Sequence, residues 1–334
     1  MISIKKTVTI AASLLACMYA FTQQIIPIES GTKSSLRGLS VVNDRIIWAS
    51  GSAGTVGKSL DSGATWIWHT VKGFEKTEFR DIEAFNETSA VIMAIAEPAY
   101  ILRTSDGGLT WKKVYENNTK GMFLDAMEFW NEQSGIVIGD PINNKIFVAR
   151  TFDGGFSWKE IPANKLPIAD SGEAMFASSG TNIRTLNNAE AVFVTGGLKS
   201  NIFIRNKKIN LPIIQGKETT GANSIAIKNK KTMIVVGGDF NAKESTENNC
   251  VLTTNAGTTW QYPLQPPHGY RSCVTYFKKN TWVTCGLTGV DISTNNGNTW
   301  QLISNTSYHT CQKAKTGKLI FFSGGGGRIG KLVL

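Results

Sequence analysis

Charged residues, proline and histidine are all scarce in this 334-residue chain. Only 18% of the residues are charged while 41% are hydrophobic, a balance that excludes intrinsic disorder. Beyond the N-terminus no apolar run reaches the roughly 18 residues of a spanning helix, which excludes a polytopic membrane protein. With 3 histidines, no HExxH motif and no GxGxxG motif between a strand and a helix, we expect neither a protein-ligated transition metal nor a cofactor.

Cysteine is also infrequent, with 5 residues in the chain. Cys17 lies in the N-terminal apolar segment, and none of the other four has the CxxC spacing of a zinc or redox site. Two of them, Cys273 and Cys285, flank a predicted hairpin and would face each other in one strand register. Disulfide bonds and four buried free thiols, the latter including Cys250 and Cys311, are both compatible with this pattern.

Glycine and aromatic residues are plentiful. The 33 glycines, 9 tryptophans and 16 phenylalanines suit short strands with tight turns better than helices, whose interiors glycine destabilises. We therefore predict an all-β protein, and a chain of this length can form a single large β domain.

The N-terminus resembles a secretory signal. Lys5 and Lys6 precede an uncharged apolar stretch over residues 7–21, so residues 1–23 are predicted to be a signal peptide of an exported, periplasmic or extracellular protein. A lipoprotein acylated at Cys17 is the alternative, although residues 18–21 continue the apolar run. Without Lys5 and Lys6 the net charge falls from +10 to +8, which favours acidic partners. The basic residues are scattered over predicted turns, so we expect no nucleic-acid binding.

One eight-residue pattern, Ser/Thr-x-Asp/Asn-x-Gly-x-Ser/Thr-Trp, occurs five times. Asp or Asn accepts backbone hydrogen bonds, glycine adopts the positive φ that closes the turn, and tryptophan covers its apolar side. Because Asn replaces Asp in two copies, we assign these residues to turn structure and not to catalysis or calcium binding. The Asp/Asn and Trp positions are Asp61 and Trp66, Asp106 and Trp111, Asp153 and Trp158, Asn255 and Trp260, and Asn295 and Trp300.

The spacing of these tryptophans predicts a β-propeller. Consecutive copies lie 45, 47, 102 and 40 residues apart, and the long interval is two periods containing one unit without the turn. A period of this size with four short strands is a propeller blade. Residues 24–334 thus form one seven-bladed domain, closed by an N-terminal strand over residues 24–30. The predicted blades cover residues 33–72, 77–116, 122–162, 172–214, 220–263, 269–304 and 306–334.

Superimposing the repeats places one polar residue per blade near the start of the innermost strand. These residues should converge at one mouth of the central channel, where they could bind an acidic group or pair with one another in a water-filled channel. The predicted ring comprises Arg37, Arg80, Asp125, Glu173, Asn223, Arg271 and His309.

The repeated turn resembles the Asp-box, or BNR repeat. The layout of the blades resembles the bacterial relatives of the photosystem II stability/assembly factor family, through residues 101–111, the Gly139-Asp140-Pro141 segment running into residues 151–158, and residues 269–272. The resemblance implies a propeller that binds protein partners through an arginine-rich patch. Arg37, Arg80 and Arg271 are the matching positions, whereas Asp125 and Glu173 depart from the pattern. We expect an exported, monomeric, non-catalytic binding or assembly protein whose partner is a protein or an acidic ligand of the cell envelope.

Sialidases, which also combine Asp-boxes with a propeller, provide the alternative of a glycoside hydrolase. The ring would supply the arginines, with Asp125, Glu173 and Tyr270 as catalytic residues. However, sialidases have six blades, and their Arg-Ile-Pro signature is missing from this sequence. We further expect the arginines to keep both carboxylates ionised, which would leave the site without a proton donor.

Overall fold

The computed structural model describes residues 23–187, 189–205 and 207–333. The predicted signal peptide, including Cys17, lies outside the described residues except for Gln23. Strands dominate the described part, in which the helices are two single 3-10 turns, Ala163–Lys165 and Gly325–Gly327. No helix in these residues has the length and apolarity needed to cross a membrane.

Seven antiparallel sheets form the blades of a β-propeller, which confirms the predicted fold class. The chain starts with β1 (Gln24–Ile28), which belongs to the last blade. Blades one to three are regular four-stranded meanders, in which each strand pairs with the next along the chain. Their strands are β2 (Leu36–Val41), β3 (Ile47–Gly51), β4 (Thr55–Ser59) and β5 (Ile67–Thr70); β6 (Phe79–Ala84), β7 (Ala90–Ala94), β8 (Ala99–Thr104) and β9 (Lys112–Asn117); and β10 (Leu124–Phe129), β11 (Gly135–Ile142), β12 (Lys145–Thr151) and β13 (Lys159–Glu160).

Blades four and five are less regular. The chain continues through β14 (Glu173–Ala174), β15 (Ile183–Thr185), β16 (Ala191–Val194), β17 (Gly196–Gly197), β18 (Asn201–Ile204), β19 (Lys207–Asn210), β20 (Thr220–Ile227), β21 (Met233–Asp239) and β22 (Cys250–Thr253). Blade four consists of β15, β16, β18 and β19, and blade five of β20 to β22 with a single bridge from Leu252 to Gln261 in place of a fourth strand. The short strands β14 and β17 extend the inner edge of blade five.

The last two blades include the closure of the ring. Blade six comprises β23 (Cys273–Lys278), β24 (Thr281–Gly286), β25 (Gly289–Ser293) and β26 (Gln301–Ser304), and blade seven β27 (Thr310–Lys313), β28 (Ile320–Ser323) and β29 (Ile329–Val333). β1 is the fourth strand of blade seven, antiparallel to β29, with Gln24 opposite Val333 and Ile28 opposite Ile329. The predicted closure by the N-terminal strand is therefore confirmed, with Pro27 on the outer edge, where a missing N–H is tolerated.

The repeated sequence pattern forms the same hydrogen-bonded turn in its Asp and Asn copies. In the third copy the Asp153 carboxylate accepts hydrogen bonds from the Ser157 amide at 3.0 Å and the Ser157 hydroxyl at 2.6 Å. In the fourth copy Asn255 Oδ1 accepts the Thr259 amide at 2.9 Å, and its Nδ2 donates to the Thr259 hydroxyl at 2.8 Å. The side chain at this position is thus used within its own turn.

These turns also join neighbouring blades. Trp158, at the end of the third copy, packs into a cluster that contains Val91 of blade two and Val137 of blade three. In the same turn Gly155 has φ of +85°, and a Cβ there would lie 2.9 Å from the Val91 side chain. Glycine is therefore required both for the backbone conformation and for the close approach of the two blades. The hydrophobic core accordingly lies between blades, around the ring.

Candidate binding site at the channel mouth

A segment of the chain, residues 175–182, fills the middle of the central channel. It follows β14 and leads into β15. Arg37 donates a hydrogen bond to the Ser178 carbonyl at 3.2 Å, the Ser179 hydroxyl donates to the Ser272 carbonyl at 2.7 Å, and the Thr181 hydroxyl lies 2.7 Å from that of Ser224. This segment, which we call the channel segment, thereby connects to blades one, five and six. It separates two cavities of about 420 and 460 Å³ at opposite mouths of the channel.

The channel segment accounts for an error in the sequence-based register. Residues 173–175 were predicted to begin the innermost strand of blade four, but that strand is Ile183–Thr185. Glu173 instead pairs with Gly197 beside blade five. The eight residues of the channel segment lie between the predicted and the observed strand, and nothing in the repeat marks them because this unit lacks the turn motif.

Four of the ring residues occupy equivalent β-bulges. The strand register shifts at Arg37, Arg80, Asp125 and Asn223. The shift follows the first pair of the innermost strand in blades one to three and the third pair in blade five. A bulge adds one residue to a strand and redirects its side chain. The residues that the sequence repeats align with one another are therefore also structurally equivalent in blades one, two, three and five.

Arginine side chains form one side of the cavity of about 420 Å³. From here on, we call this cavity the mouth. Burial and the nearby Arg80 lower the pKa of Arg37, whose side chain donates a hydrogen bond to the Ser178 carbonyl. Arg80 forms an ion pair with Glu78 at 2.6 Å. Burial, assisted by the charge of Arg37, lowers the pKa of His309 to about 3, so this imidazole is neutral at physiological pH. Arg37 thus lines the cavity without a carboxylate at ion-pair distance among the described residues.

Aromatic and apolar groups form the other side of the mouth. Phe176 and Phe240 pack edge to face with ring centres 5.9 Å apart, and Phe240 packs likewise on Tyr270 at 6.3 Å. The Tyr270 hydroxyl donates to Asn223 Oδ1 at 2.7 Å, and burial raises the pKa of Tyr270 to about 12. The remaining apolar residues around the cavity are Phe123, Met175, Ala177 and Leu287.

Most of this apolar side was not predicted. Phe176 and Met175 come from the channel segment, whose position the repeat does not reveal. Phe240 directly follows Asp239, the last residue of β21, and no feature of the repeat indicates that it lies at the mouth.

Two carboxyl groups lie near the mouth in different environments. Asp140 borders the cavity and accepts the Met175 amide at 2.8 Å, and burial raises its pKa to about 6. Asp125 is fully buried, and neither of its carboxylate oxygens has a hydrogen-bond partner in the described part of the chain. Burial and the charge of Asp140 raise the pKa of Asp125 well above its usual value. The pKa of Asp125 thus shifts in the direction opposite to the one expected from the neighbouring arginines, because desolvation outweighs the charge of Arg80.

Arg271 and Glu173 are buried away from the mouth. Arg271 is 0% exposed and binds the equally buried Asp291 through Nε at 2.7 Å and through Nη2, while Nδ1 of His268 lies 2.6 Å from the other oxygen of Asp291. Glu173 accepts hydrogen bonds from the Asp170 amide at 2.6 Å and from the Thr195 hydroxyl. The mouth is therefore lined by Arg37, Arg80 and His309 of the predicted ring, with Asn223 behind Tyr270.

Known structures share this architecture. A structure described as YCF48 bound to D1 peptide superimposes with a TM-score of 0.67 at 16% identity, covering 95% of this chain and 96% of the other. The present chain therefore has the same propeller fold as that YCF48 structure. A second YCF48 structure, from Cyanidioschyzon merolae, gives 0.65 at 16% identity over 92% and 98% of the two chains, and the WD40 propeller of Doa1 gives 0.61 at 13% over 94% and 97%. No protein-family model and no curated protein matches the chain.

Proposed function

We propose that this protein is a non-catalytic propeller scaffold of the cell envelope that binds a segment of a partner protein at the mouth. The proposed ligand is an acidic group next to an aromatic or aliphatic side chain. The N-terminal sequence of residues 1–23 supports export, and the fold supports a binding role, since a propeller of the same fold is described as bound to a peptide.

The observation that carries the proposal is the division of the mouth into a cationic and an apolar side. Arg37 presents a partly desolvated guanidinium to the cavity, and a charge-assisted hydrogen bond is strongest in such a position. Opposite it, Phe240 is 37% exposed and Phe176 lies against it. A cavity of about 420 Å³ has the size of an ordinary ligand pocket.

The channel segment determines how a ligand would enter. Because residues 175–182 close the channel below the mouth, a bound chain cannot thread through the ring. The ligand would insert one or two side chains or a chain terminus, and the rest of the partner would lie on the face of the propeller. This mode suits a carboxylate, either of Asp or Glu or of a C-terminus, directed at Arg37.

A displayed library of random peptides tests this specificity. We expect the selected peptides to combine a carboxylate with a neighbouring Phe, Leu or Tyr, and amide substitution of that carboxylate to weaken binding. In fluorescence anisotropy, Arg37→Ala should reduce affinity about tenfold or more, since a hydrogen bond to a charged group contributes about 1.5–3 kcal/mol. Arg80→Ala should have a smaller effect because Arg80 is already paired with Glu78.

The matched control is Arg45→Ala. Arg45 is exposed in the hairpin between β2 and β3, at the opposite end of blade one from Arg37, and its removal changes the net charge by the same amount. We expect this variant to bind like the wild type. Equal affinities of the Arg37 and Arg45 variants, or selected peptides without a carboxylate, would refute the proposed site.

A further inference from the structure

Three cysteines meet in the core between blades six and seven. Cys273 of β23 lies directly opposite Cys285 of β24, and Cys311 comes from β27 of the next blade. The Cys273 and Cys311 sulfurs are 3.6 Å apart, and all three sulfurs lie within 4.8 Å of one another. Each of these cysteines is 0% exposed.

The separations fit a shared ion better than a disulfide bond. Three thiolates around one ion at about 2.3 Å, the zinc–sulfur distance, lie about 4 Å from one another. A disulfide instead requires two sulfurs at about 2.05 Å, whereas the Cys273 and Cys311 sulfurs are 3.6 Å apart and all three cysteines are free. Three sulfurs from three strands converging on one point therefore resemble a ligand set.

The proton balance of the cluster also suits a divalent ion. Three neutral thiols release three protons to solvent when they bind one divalent ion as a trithiolate, and the buried centre then carries a charge of −1. The Cys311 amide donates a hydrogen bond to the Cys273 sulfur at 3.3 Å, and such a bond is strengthened when the sulfur is ionised.

The surroundings favour a soft ion. The cluster is enclosed by apolar side chains such as Val283, Val290 and Phe322, which exclude water from the sulfurs. Thiolate ligands select soft metals over magnesium or calcium. The Thr310 hydroxyl lies 3.6 Å from the Cys273 sulfur and is a polar group beside the otherwise apolar cluster.

We propose that Cys273, Cys285 and Cys311 bind one divalent ion of the zinc group as a trithiolate that joins blade six to blade seven. This site differs from the sequence-based expectation of no metal, because the three ligands are distant in sequence and lack any paired spacing. It is independent of the proposed function at the mouth. Since the sulfurs are fully buried, the ion would enter while the chain folds, and binding would stabilise the folded state.

The test follows the metal during refolding of the full chain. Protein unfolded under reducing conditions is refolded with one equivalent of Cd(II), and the thiolate-to-metal charge-transfer absorption is recorded. We expect stoichiometric binding and a raised melting temperature for the wild type, and loss of the absorption in Cys285→Ser and Cys311→Ser. Cys250→Ser is the matched control, because Cys250 is a buried free cysteine outside the cluster, and it should bind Cd(II) like the wild type.

A measurement on native wild-type protein covers the case in which the variants fail to refold. After expression in zinc-supplemented medium and purification without a metal tag, elemental analysis should find one zinc per chain. Mass spectrometry of the denatured protein should find all three thiols reduced. A metal-free native protein, unchanged Cd(II) absorption in both cluster variants, or a disulfide between any two of the three cysteines would overturn the proposal.

Discussion

Replacing Ile25 by alanine tests how much the N-terminal strand contributes to closing the ring. Ile25 is the second residue of β1, is 8% exposed, and packs in a cluster with Tyr308, Phe322 and Leu332. The next residue, Ile26, is 42% exposed. Because alternate residues of a strand point to opposite faces, the same substitution at the two positions separates core packing from strand propensity.

The expected magnitude follows from the buried side chain. Ile25→Ala removes three carbons, which corresponds to about 2.4 kcal/mol of lost burial, and a residual cavity adds to this. An edge strand can move to fill part of the cavity, so we expect about 2–3 kcal/mol of destabilisation. With an unfolding entropy of about 2.1 cal/mol/K per residue, a chain of this length should then melt about 3–5 °C lower. Ile26→Ala should change stability by less than about 0.5 kcal/mol.

The assay is denaturant unfolding and calorimetry of both variants, followed by deletion of residues 24–31. The deletion should lower the melting temperature more than Ile25→Ala, because it also leaves the hydrogen-bonding groups of β29 unpaired. Equal effects of Ile25→Ala and Ile26→Ala, or an unchanged melting curve of the deletion, would refute the assignment of β1 as a structural strand of blade seven.

Three further predictions concern a buried ion pair, the pH dependence of stability and hydrolytic activity. Arg271→Met should cost about 3–5 kcal/mol, because the buried Asp291 loses its arginine partner and keeps only its contact with the partly exposed His268. Adding Asp291→Leu should restore much of this loss in denaturant unfolding. Burial raises the pKa of Asp140 from 3.8 to about 6, so the stabilising contribution of the protonated side chain is complete below pH 4 and is lost as the pH rises through 6. Between pH 4 and pH 7 the stability of Asp140→Asn should therefore increase by about 2 kcal/mol relative to that of the wild type. Parallel pH profiles of the two proteins would contradict this prediction. Fluorogenic sialosides and aryl glycosides should not be hydrolysed, and turnover that disappears in Asp125→Ala or Glu173→Ala would contradict the proposed non-catalytic function.

Much of the ring is predictable from the sequence because it repeats. The tryptophan spacing predicts the number of blades. The N-terminal segment that no repeat accounts for, which contains Ile25, is then predicted to be the closing strand. The partners of buried charges are not predictable in this way. Arg271 aligns with Arg37 and Arg80 in sequence, but Asp291, on another strand of the same blade, holds it inside the sheet. Periodicity specifies which residues share a position, whereas desolvation and local partners determine where their side chains lie.

The channel segment has a consequence for how such a protein can change its specificity. In most rings of repeats, the shape of the central opening depends on several blades at once, and altering it requires coordinated substitutions. Here one continuous stretch, residues 175–182, supplies Phe176, Ala177 and Ser178 to the mouth and the carbonyl that orients Arg37. Exchanging only residues 176–178 would remodel the recognition surface, while Met175 stays in the core between blades and residues 179–182 keep their contacts with blades five and six.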